Sequence, residues 1–280
     1  MNDTKKILSV QDISCYGQCS NTVMLPVLSA GGLETVALPT ALLSTHTAGF
    51  PGFTFLDLTE EMENILAHFM KLGLHFDWLC TGYFGSAAQI EGLKKALPAL
   101  LVEGAPRIID PVMGDNGNLY SIYDENYVKT MRTLCAGADV ITPNLTEVCL
   151  LADEPFTGNE YDAEKLDRLF AACRALGARR ILLTGVMFDE HTIGVAGEDE
   201  NGARFTARAP YAPVHLHGTG DTLTGSLIAF LARGFSFREA ARRAVNFVAD
   251  CIADTLPVID RHFYGLRFEG RLGEITAAHP

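Results

Sequence analysis

The sequence predicts an α/β fold: a central, mostly parallel sheet flanked by helices, with antiparallel strands added late. Two observations carry this. As far as Gly185, short apolar runs alternate with longer stretches of helical period, which is the pattern of βαβ units. Beyond it the pattern changes, and TIGVAGEDENGARFTARAP reads as a hairpin whose turn contains Asn201-Gly202.

In order, strands are expected at KILSV (6–10), ETVALP (34–39), FDWLCTG (76–82), RIID (107–110), DVIT (139–142) and RILLTG (180–185). Helical periodicity falls between them at 22–30, 59–72, 87–101, 125–136, 147–151 and 163–176. Two helices close the chain. One is the apolar run 223–231 after Asp221, and the other is opened by Ser236 with Glu239 at the spacing of a capping box. Ala240, Ala244, Val245, Val248 and Ile252 give the second its apolar face. With no repeat, low-complexity tract or Pro/Ser-rich linker, the simplest division is one domain, 1–280.

The 280 residues, 48% of them hydrophobic, suffice for a sizeable core. A net charge of −12, with Lys and Arg clustered only as pairs, argues against a nucleic-acid partner. The apolar run in MNDTKKILSV is too short for a signal sequence or a membrane span, so a cytoplasmic protein with no membrane partner is expected. Seven cysteines without a C-x-x-C pair suit a reducing compartment. Cys15 and Cys19 are the closest pair, and their neighbourhood offers too few further ligands for a metal clip.

In an open α/β sheet ligands bind beyond the carboxyl ends of the strands. There DPVMGDNGNLY, TPNLTE and TGYFGS direct Asp110, Asp115, Asn144 and Glu147 toward one crevice. A Walker-type P-loop, a G-x-S-x-G elbow and H-E-x-x-H are absent, and GTGDTLTG lacks the spacing and position of a dinucleotide fingerprint. What remains is rich in carboxylates and backbone donors and poor in cations. Such a site holds polyphosphate if a divalent metal supplies positive charge and a helix start cradles the phosphoryl oxygens. Gly218 and Gly220 allow close backbone approach, and Asp221 is placed to accept the proton of an attacking hydroxyl. The segment GDNGN, with Gly114 and Gly117, reads as a mobile cover. Each residue has a structural alternative: Asp221 and Glu147 as helix-dipole partners, Asp110 as a turn former, Tyr83 as a packed ring and His46 as a satisfied polar residue.

GTGD before an apolar helix, with TPNLTE upstream, resembles the ribokinase superfamily, and DPVMGDNGNLY, LPTALLSTHT and TGYFGS are similar to its pyridoxal kinases. The similarity runs in order from VQDISCYGQCSN to the final helices. It implies a three-layer α/β/α ribokinase-like fold, usually a homodimer, that phosphorylates the 5′-hydroxyl of a vitamin B6 vitamer with ATP and Mg²⁺. It leaves open a monovalent cation. By position, Asp221 matches the catalytic base and Gly218, Thr219 and Gly220 the anion hole. Asp110, Asp115 and Glu147 match positions near the metal, the last acting through water, while Thr142, Asn144, Thr184 and Tyr120 match ATP and phosphate contacts. Thr40, Tyr83 and His46 match positions on the pyridine substrate.

The chain departs from the family at Asp12, which follows Gln11 where serine is common. A carboxylate there would pair with a protonated pyridine nitrogen or the aminomethyl group of pyridoxamine, favouring that vitamer; alternatively it points to solvent. The competing enzyme is a hydroxymethylpyrimidine kinase of thiamine synthesis, whose family tends to carry cysteine at the position of Asp221. Sugar kinases insert a stranded lid for which there is little room between 10 and 34. A non-catalytic B6 or nucleotide binder and, more distantly, a Rossmann oxidoreductase complete the alternatives.

Overall fold

The computed structural model describes residues 4–47, 49–214 and 216–280; residues 1–3, Ala48 and His215 lie outside it, so the expectation for the extreme N-terminus rests partly on undescribed residues. Strands β1 (Lys6–Tyr16), β2 (Glu34–Thr45), β3 (Phe55–Asp57), β4 (Trp78–Thr81), β5 (Arg107–Ile109), β8 (Val140–Ile141), β9 (Ile181–Asp189), β10 (Thr192–Glu198) and β11 (Arg204–Pro210) form one sheet in the order β11-β10-β9-β8-β5-β4-β1-β2-β3. β6 (Gly114–Asp115) and β7 (Asn118–Leu119) form a separate hairpin. The pairs from β2 through β9 are parallel, and antiparallel β10 and β11 close one edge as expected. The hairpin turn lies at Asn201-Gly202, where Gly202 has φ 78°. A short antiparallel edge strand, β3, caps the other side and carries no apolar alternation that would announce it.

Helices α1 (Asn21–Ala30), α2 (Thr59–Lys71), α3 (Ala87–Leu100), α4 (Glu125–Cys135), α5 (Leu145–Ala152), α6 (Ala163–Ala175), α7 (Thr219–Ala232), α8 (Phe237–Thr255) and α9 (Leu272–Thr276) cover both faces. The inner strands alternate between the two cores. Leu79, Ile109, Ile141 and Leu183 face α2 to α6, while Cys80, Ile108, Val140 and Leu182 face α1, α7, α8 and α9. The result is the three-layer α/β/α arrangement. Two helices were expected to close the chain; a third, α9, follows them, too short for helical period to reveal. Ser236 caps α8 through the Glu239 amide, but the Glu239 side chain turns to Arg242 and Arg243, so the box is only half formed.

α1 and α2 lie on opposite faces, so the chain leaves β1 in one direction and returns across it to β4. The crevice between the carboxyl ends of β1 and β4 is therefore the topological switch point. α7 is held beside it by packing. A Cβ on Gly225 would lie 3.1 Å from Met24 Sδ and 3.3 Å from Val27, so α1 and α7 meet closely. Leu227 and Ile228 are fully buried, each stabilising the fold by about 1.5–3 kcal/mol. No helix among the described residues is long and apolar enough to cross a membrane. All seven cysteines are free, five of them buried.

Candidate active site

α7 opens earlier than its apolar run suggests, at Thr219 instead of Leu223, so the GTGD segment is itself the helix start. Gly218 caps it at φ 75°, and a Cβ there would sit 1.9 Å from the Gln18 carbonyl oxygen. Only glycine fits. The Gly218 carbonyl accepts the Thr222 amide at 2.9 Å and its hydroxyl at 2.7 Å, which fixes the first turn. The amides of Thr219, Gly220 and Asp221 precede the first helical hydrogen bond and point out of the helix end. A Cβ on Gly220 would meet nothing within 4 Å, so open space lies over that turn.

This makes Gly220 separable from the fold. Gly220→Ala is expected to keep or raise the melting temperature, because Ala favours a helix by up to about 1 kcal/mol over Gly. It is also expected to lower kcat/KM for ATP by about tenfold or more, because its methyl enters the space over the amides. Unchanged kinetics would show that no phosphoryl oxygen comes close to this turn.

Asp221, half-buried on that turn, has its carboxyl raised to about 6 by burial, with the polar Ser20 backbone partly offsetting and the like charge of Asp12 adding. Burial raises Asp110 as well, and the Asp221 charge adds to it. Burial and Asp110 together raise Glu147. Among the described residues none of these three, nor Asp12, has a Lys or Arg among the groups acting on it. The carboxylates are crowded without a cation.

Glu147 forms a reciprocal capping box with Asn144. Its Oε2 accepts the Asn144 amide at 2.9 Å, while Asn144 Oδ1 accepts the Glu147 amide at 2.8 Å. Glu147 Oε1 also accepts the Met113 amide at 3.2 Å. Asn144 Nδ2 donates to the Gly114 carbonyl at 2.9 Å, and the Gly117 amide donates to Thr146 Oγ1 at 2.8 Å. α5 thus pins the β6–β7 hairpin, the segment read as a cover. Its Asn116-Gly117 turn has φ 50° and 78°, a two-residue hairpin turn. Asp115 folds onto the same turn, its two oxygens accepting from the Asn116 amide and side chain at 2.8 and 3.0 Å. Among the described residues no three His, Cys, Asp or Glu side chains are gathered as a ready metal cage. Asp110, Asp115 and Glu147 therefore do not stand as a preassembled ligand set, because two of them already serve backbone amides.

Thr142 follows β8, and its Oγ1 lies 3.1 Å from Thr224 Oγ1, which in turn lies 3.2 Å from Asp110 Oδ2. One hydroxyl can accept from Thr142 while donating to the carboxylate. Thr224 was not singled out in the sequence, although it lies three residues after Asp221 and hence on the same helix face. Thr184, on β9, donates its amide to the Pro143 carbonyl at 2.9 Å and so adjoins Asn144. Tyr120 is partly exposed, and its hydroxyl is raised by burial and by Glu147, Asp115, Asp110 and Asp221, which places it among them.

Asp12 lies on β1 where the register with β2 shifts, between the pairs Gln11–Pro39 and Ile13–Leu42. It is 6% exposed, which rules out the solvent-facing alternative. Burial raises its carboxyl, while the Ser20 and Ser14 hydroxyls lower it. The Ser14 hydroxyl donates at 2.9 Å. Tyr83, beyond β4, is pushed up to about 12 by burial and by Asp12. The Thr40 hydroxyl donates to the Tyr83 carbonyl at 2.9 Å. His46 stands edge-on to Phe50 at 5.0 Å and 4.6 Å from the His217 ring just before Gly218. Burial lowers its pKa, and its Nε2 has no hydrogen-bond partner among the described residues. Asp12, Thr40 and Tyr83 thus meet at the switch point, and His46 joins them to the lead-in of α7.

The family model described as phosphomethylpyrimidine kinase matches residues 25–264. The chain belongs to the phosphomethylpyrimidine kinase family. Relatives within and around this family bear names of both pyridine and pyrimidine kinases. A Bacteroides thetaiotaomicron structure, provisionally described as a phosphomethylpyrimidine kinase and solved with pyridoxal, is 38% identical, covers 98% of this chain and 96% of its own, and superposes with a TM-score of 0.91. The pyridoxal kinase of Lactobacillus plantarum is 34% identical over 98% of both chains, with a TM-score of 0.90. A hydroxymethylpyrimidine/phosphomethylpyrimidine kinase of Staphylococcus aureus is 30% identical over 88% of both. The layers described above are accordingly those of the ribokinase-like fold seen in pyridoxal kinases. As a member of a kinase family, the chain is a phosphotransferase with ATP as its co-substrate.

A cavity of about 500 Å³ lined by Arg174, Arg179, Glu198 and Glu200 lies near the amino end of β9, away from Asp221. There Arg174 and Arg204 pair with Glu198, and Arg180 pairs with Glu200. The charges at that end are matched, whereas those at the carboxyl end are not.

Proposed function

We propose that this kinase transfers the γ-phosphoryl group of ATP to the 5′-hydroxyl of a vitamin B6 vitamer (pyridoxal, pyridoxamine or pyridoxine), as in salvage leading to pyridoxal 5′-phosphate. The observation that carries it is Asp221: a carboxylate raised to about 6 on the first turn of a glycine-capped helix, near the cluster of Asp12, Thr40 and Tyr83. A base with that value is ionised at neutral pH yet remains a competent proton acceptor.

In this reading Gly218, Thr219 and Gly220 present amides to the transferring phosphoryl group. Thr142, Asn144, Thr184 and Tyr120 line the ATP side. Thr40, Tyr83, His46 and Asp12 hold the pyridine, with the bare His46 Nε2 available to a polar substituent. The crowded carboxylates offer hard oxygen donors of the kind Mg²⁺ takes, so the donor chemistry fits that ion. Asp110 and Asp115 would hold it, and Glu147, both of whose oxygens accept backbone amides where Asp115 gives only one, would act through water. When bound, Mg²⁺ supplies the positive charge that polyphosphate requires among these carboxylates. The whole chain acts as one domain, in a homodimer, in the cytoplasm, with no nucleic-acid or membrane partner.

The family name and the Staphylococcus aureus relative support a second reading, a hydroxymethylpyrimidine kinase. The aspartate at 221, where such enzymes tend to have cysteine, favours the first. ADP release with Mg·ATP and pyridoxal, pyridoxamine, pyridoxine or hydroxymethylpyrimidine separates them. Turnover on the vitamers supports the proposal, and turnover on the pyrimidine alone replaces it.

Asp12 adds a prediction about preference. A buried carboxylate beside Tyr83 attracts a cationic substituent, so pyridoxamine is expected to be used better than pyridoxal. Asp12→Ser should lower the ratio of their kcat/KM values about tenfold. An unchanged ratio would show that Asp12 does not read the vitamer.

A further inference from the structure

We propose that Tyr123 is a positioning residue for the acceptor: its hydroxyl holds the carbonyl of Phe84 and so fixes the loop after β4, which carries Tyr83, against the stem of the β6–β7 hairpin. Tyr123 Oη donates to the Phe84 carbonyl oxygen at 2.6 Å, and both residues are buried. The Tyr123 ring stacks on Tyr127, with centroids 3.7 Å apart and planes at 10°, and lies 6.3 Å from the rings of both Tyr83 and Tyr120. One side chain thus adjoins the vitamer side and the ATP side of the proposed site.

The hairpin stem is the fixed partner. The Tyr123 amide donates to the Tyr120 carbonyl and the Tyr120 amide to the Met113 carbonyl, each at 2.9 Å. The hairpin itself is pinned to α5 through Gly114 and Gly117, and Asp124, next after Tyr123, caps α4 by accepting the Tyr127 amide at 2.9 Å. The loop 82–85, by contrast, belongs to no helix or strand. The Thr40 hydroxyl holds its Tyr83 carbonyl, and Gln89 Oε1 accepts its Gly85 amide at 2.8 Å. Between those two points Tyr123 holds the Phe84 carbonyl, while the Tyr127 hydroxyl, at 3.5 Å, is a weaker second donor. A buried carbonyl stripped of its donor is costly to leave unpaired, so the loop, and Tyr83 with it, must shift to recover one.

The consequence for substrate rests on the B6 kinase reading, so the test has two arms. In the first, Tyr123→Phe, Tyr127→Phe and the double variant are compared with wild type; all keep the stacked rings. Tyr123→Phe is expected to lower kcat/KM for pyridoxal and pyridoxamine about tenfold with KM for ATP within about twofold, and the double variant to lower it further. Tyr127→Phe should stay within about twofold of wild type. Wild-type kcat/KM for the vitamers in both Tyr123→Phe and the double variant would overturn the proposal, as would equal losses for vitamer and ATP that track the melting temperature. In the second arm, the Phe84 carbonyl carbon is followed by NMR in wild type and the double variant. An upfield shift supports the contact, and no shift overturns it. If wild type phosphorylates none of the acceptors, the B6 reading fails and with it the placing of a vitamer, while the carbon shift still decides whether Tyr123 holds the loop.

Discussion

Asp221→Asn is expected to lower kcat by about two to four orders of magnitude while ATP binds with near-wild-type affinity. Asparagine keeps the shape of the side chain and the first turn of α7 but cannot take the proton of the acceptor hydroxyl. In wild type, kcat/KM should fall as pH drops below about 6, where Asp221 becomes protonated. Stability should move in the opposite direction. The folded-state value lies above the ordinary 3.8, so the fold favours the neutral carboxyl. The resulting stabilisation is full below about 3.8 and is lost as pH rises through about 6. At pH 7 to 8 the ionised aspartate strains a site already crowded by Asp12, and Asp221→Asn should melt above wild type, by less as the pH approaches 4. Calorimetry across that range and steady-state kinetics measure both effects. A variant that is both less stable and fully active would contradict the assignment of Asp221 on both counts.

Gly218→Ala is expected to damage fold and activity together. The residue stands at φ 75°, where a Cβ costs roughly 1–2 kcal/mol, and that Cβ would lie 1.9 Å from the Gln18 carbonyl oxygen. Both are backbone constraints, so no side chain can swing away to relieve them. The start of α7 must shift, and a displacement of about 1 Å at a catalytic constellation can lower the rate a hundredfold. Thermal unfolding should fall by about 5 °C or more and kcat/KM by at least about a hundredfold. Together with Gly220→Ala, this gives two glycines two residues apart with opposite expected effects on stability. If Gly218→Ala melted and turned over like wild type, the cap would not be held as described.

The sequence was most informative where one physical signal dominated. Alternating apolar runs located the inner strands because these are buried on both faces, as Leu79 and Cys80 show by facing opposite cores. It was least informative where pairing, not hydrophobicity, makes the element. All three residues of β3 lie on the exposed side, and the outer parts of β1 and β2 run past the predicted ends because each supplies the other with hydrogen bonds as far as Tyr16 and Thr45. The β6–β7 hairpin was legible in the Asn-Gly pair of DNGN, but it was read as a cover; only the contacts of Gly114 and Gly117 with α5 show it pinned.

The site shows the same division. Its residue types at the strand ends pointed to phosphate, metal and a base, and the structure gathers Asp221, Asp110, Glu147 and Tyr120 into mutual electrostatic contact. Thr224 could have been found from its helical spacing to Asp221. The part Glu147 plays as a capping residue was half visible: its first-turn position was, but its hydrogen bond to the Met113 amide depends on a loop 34 positions away.

The central claim is that Asp221 activates the hydroxymethyl group of a B6 vitamer for attack on ATP. Its most direct test is to incubate the purified protein with Mg·ATP and pyridoxal or pyridoxamine and identify products by phosphorus NMR and mass, in wild type and Asp221→Ala side by side. The account predicts a 5′-phosphate ester and stoichiometric ADP with wild type, and almost none with the variant. A vitamer phosphate formed equally well without the carboxylate, or no vitamer phosphate from wild type under any of these conditions, would contradict it.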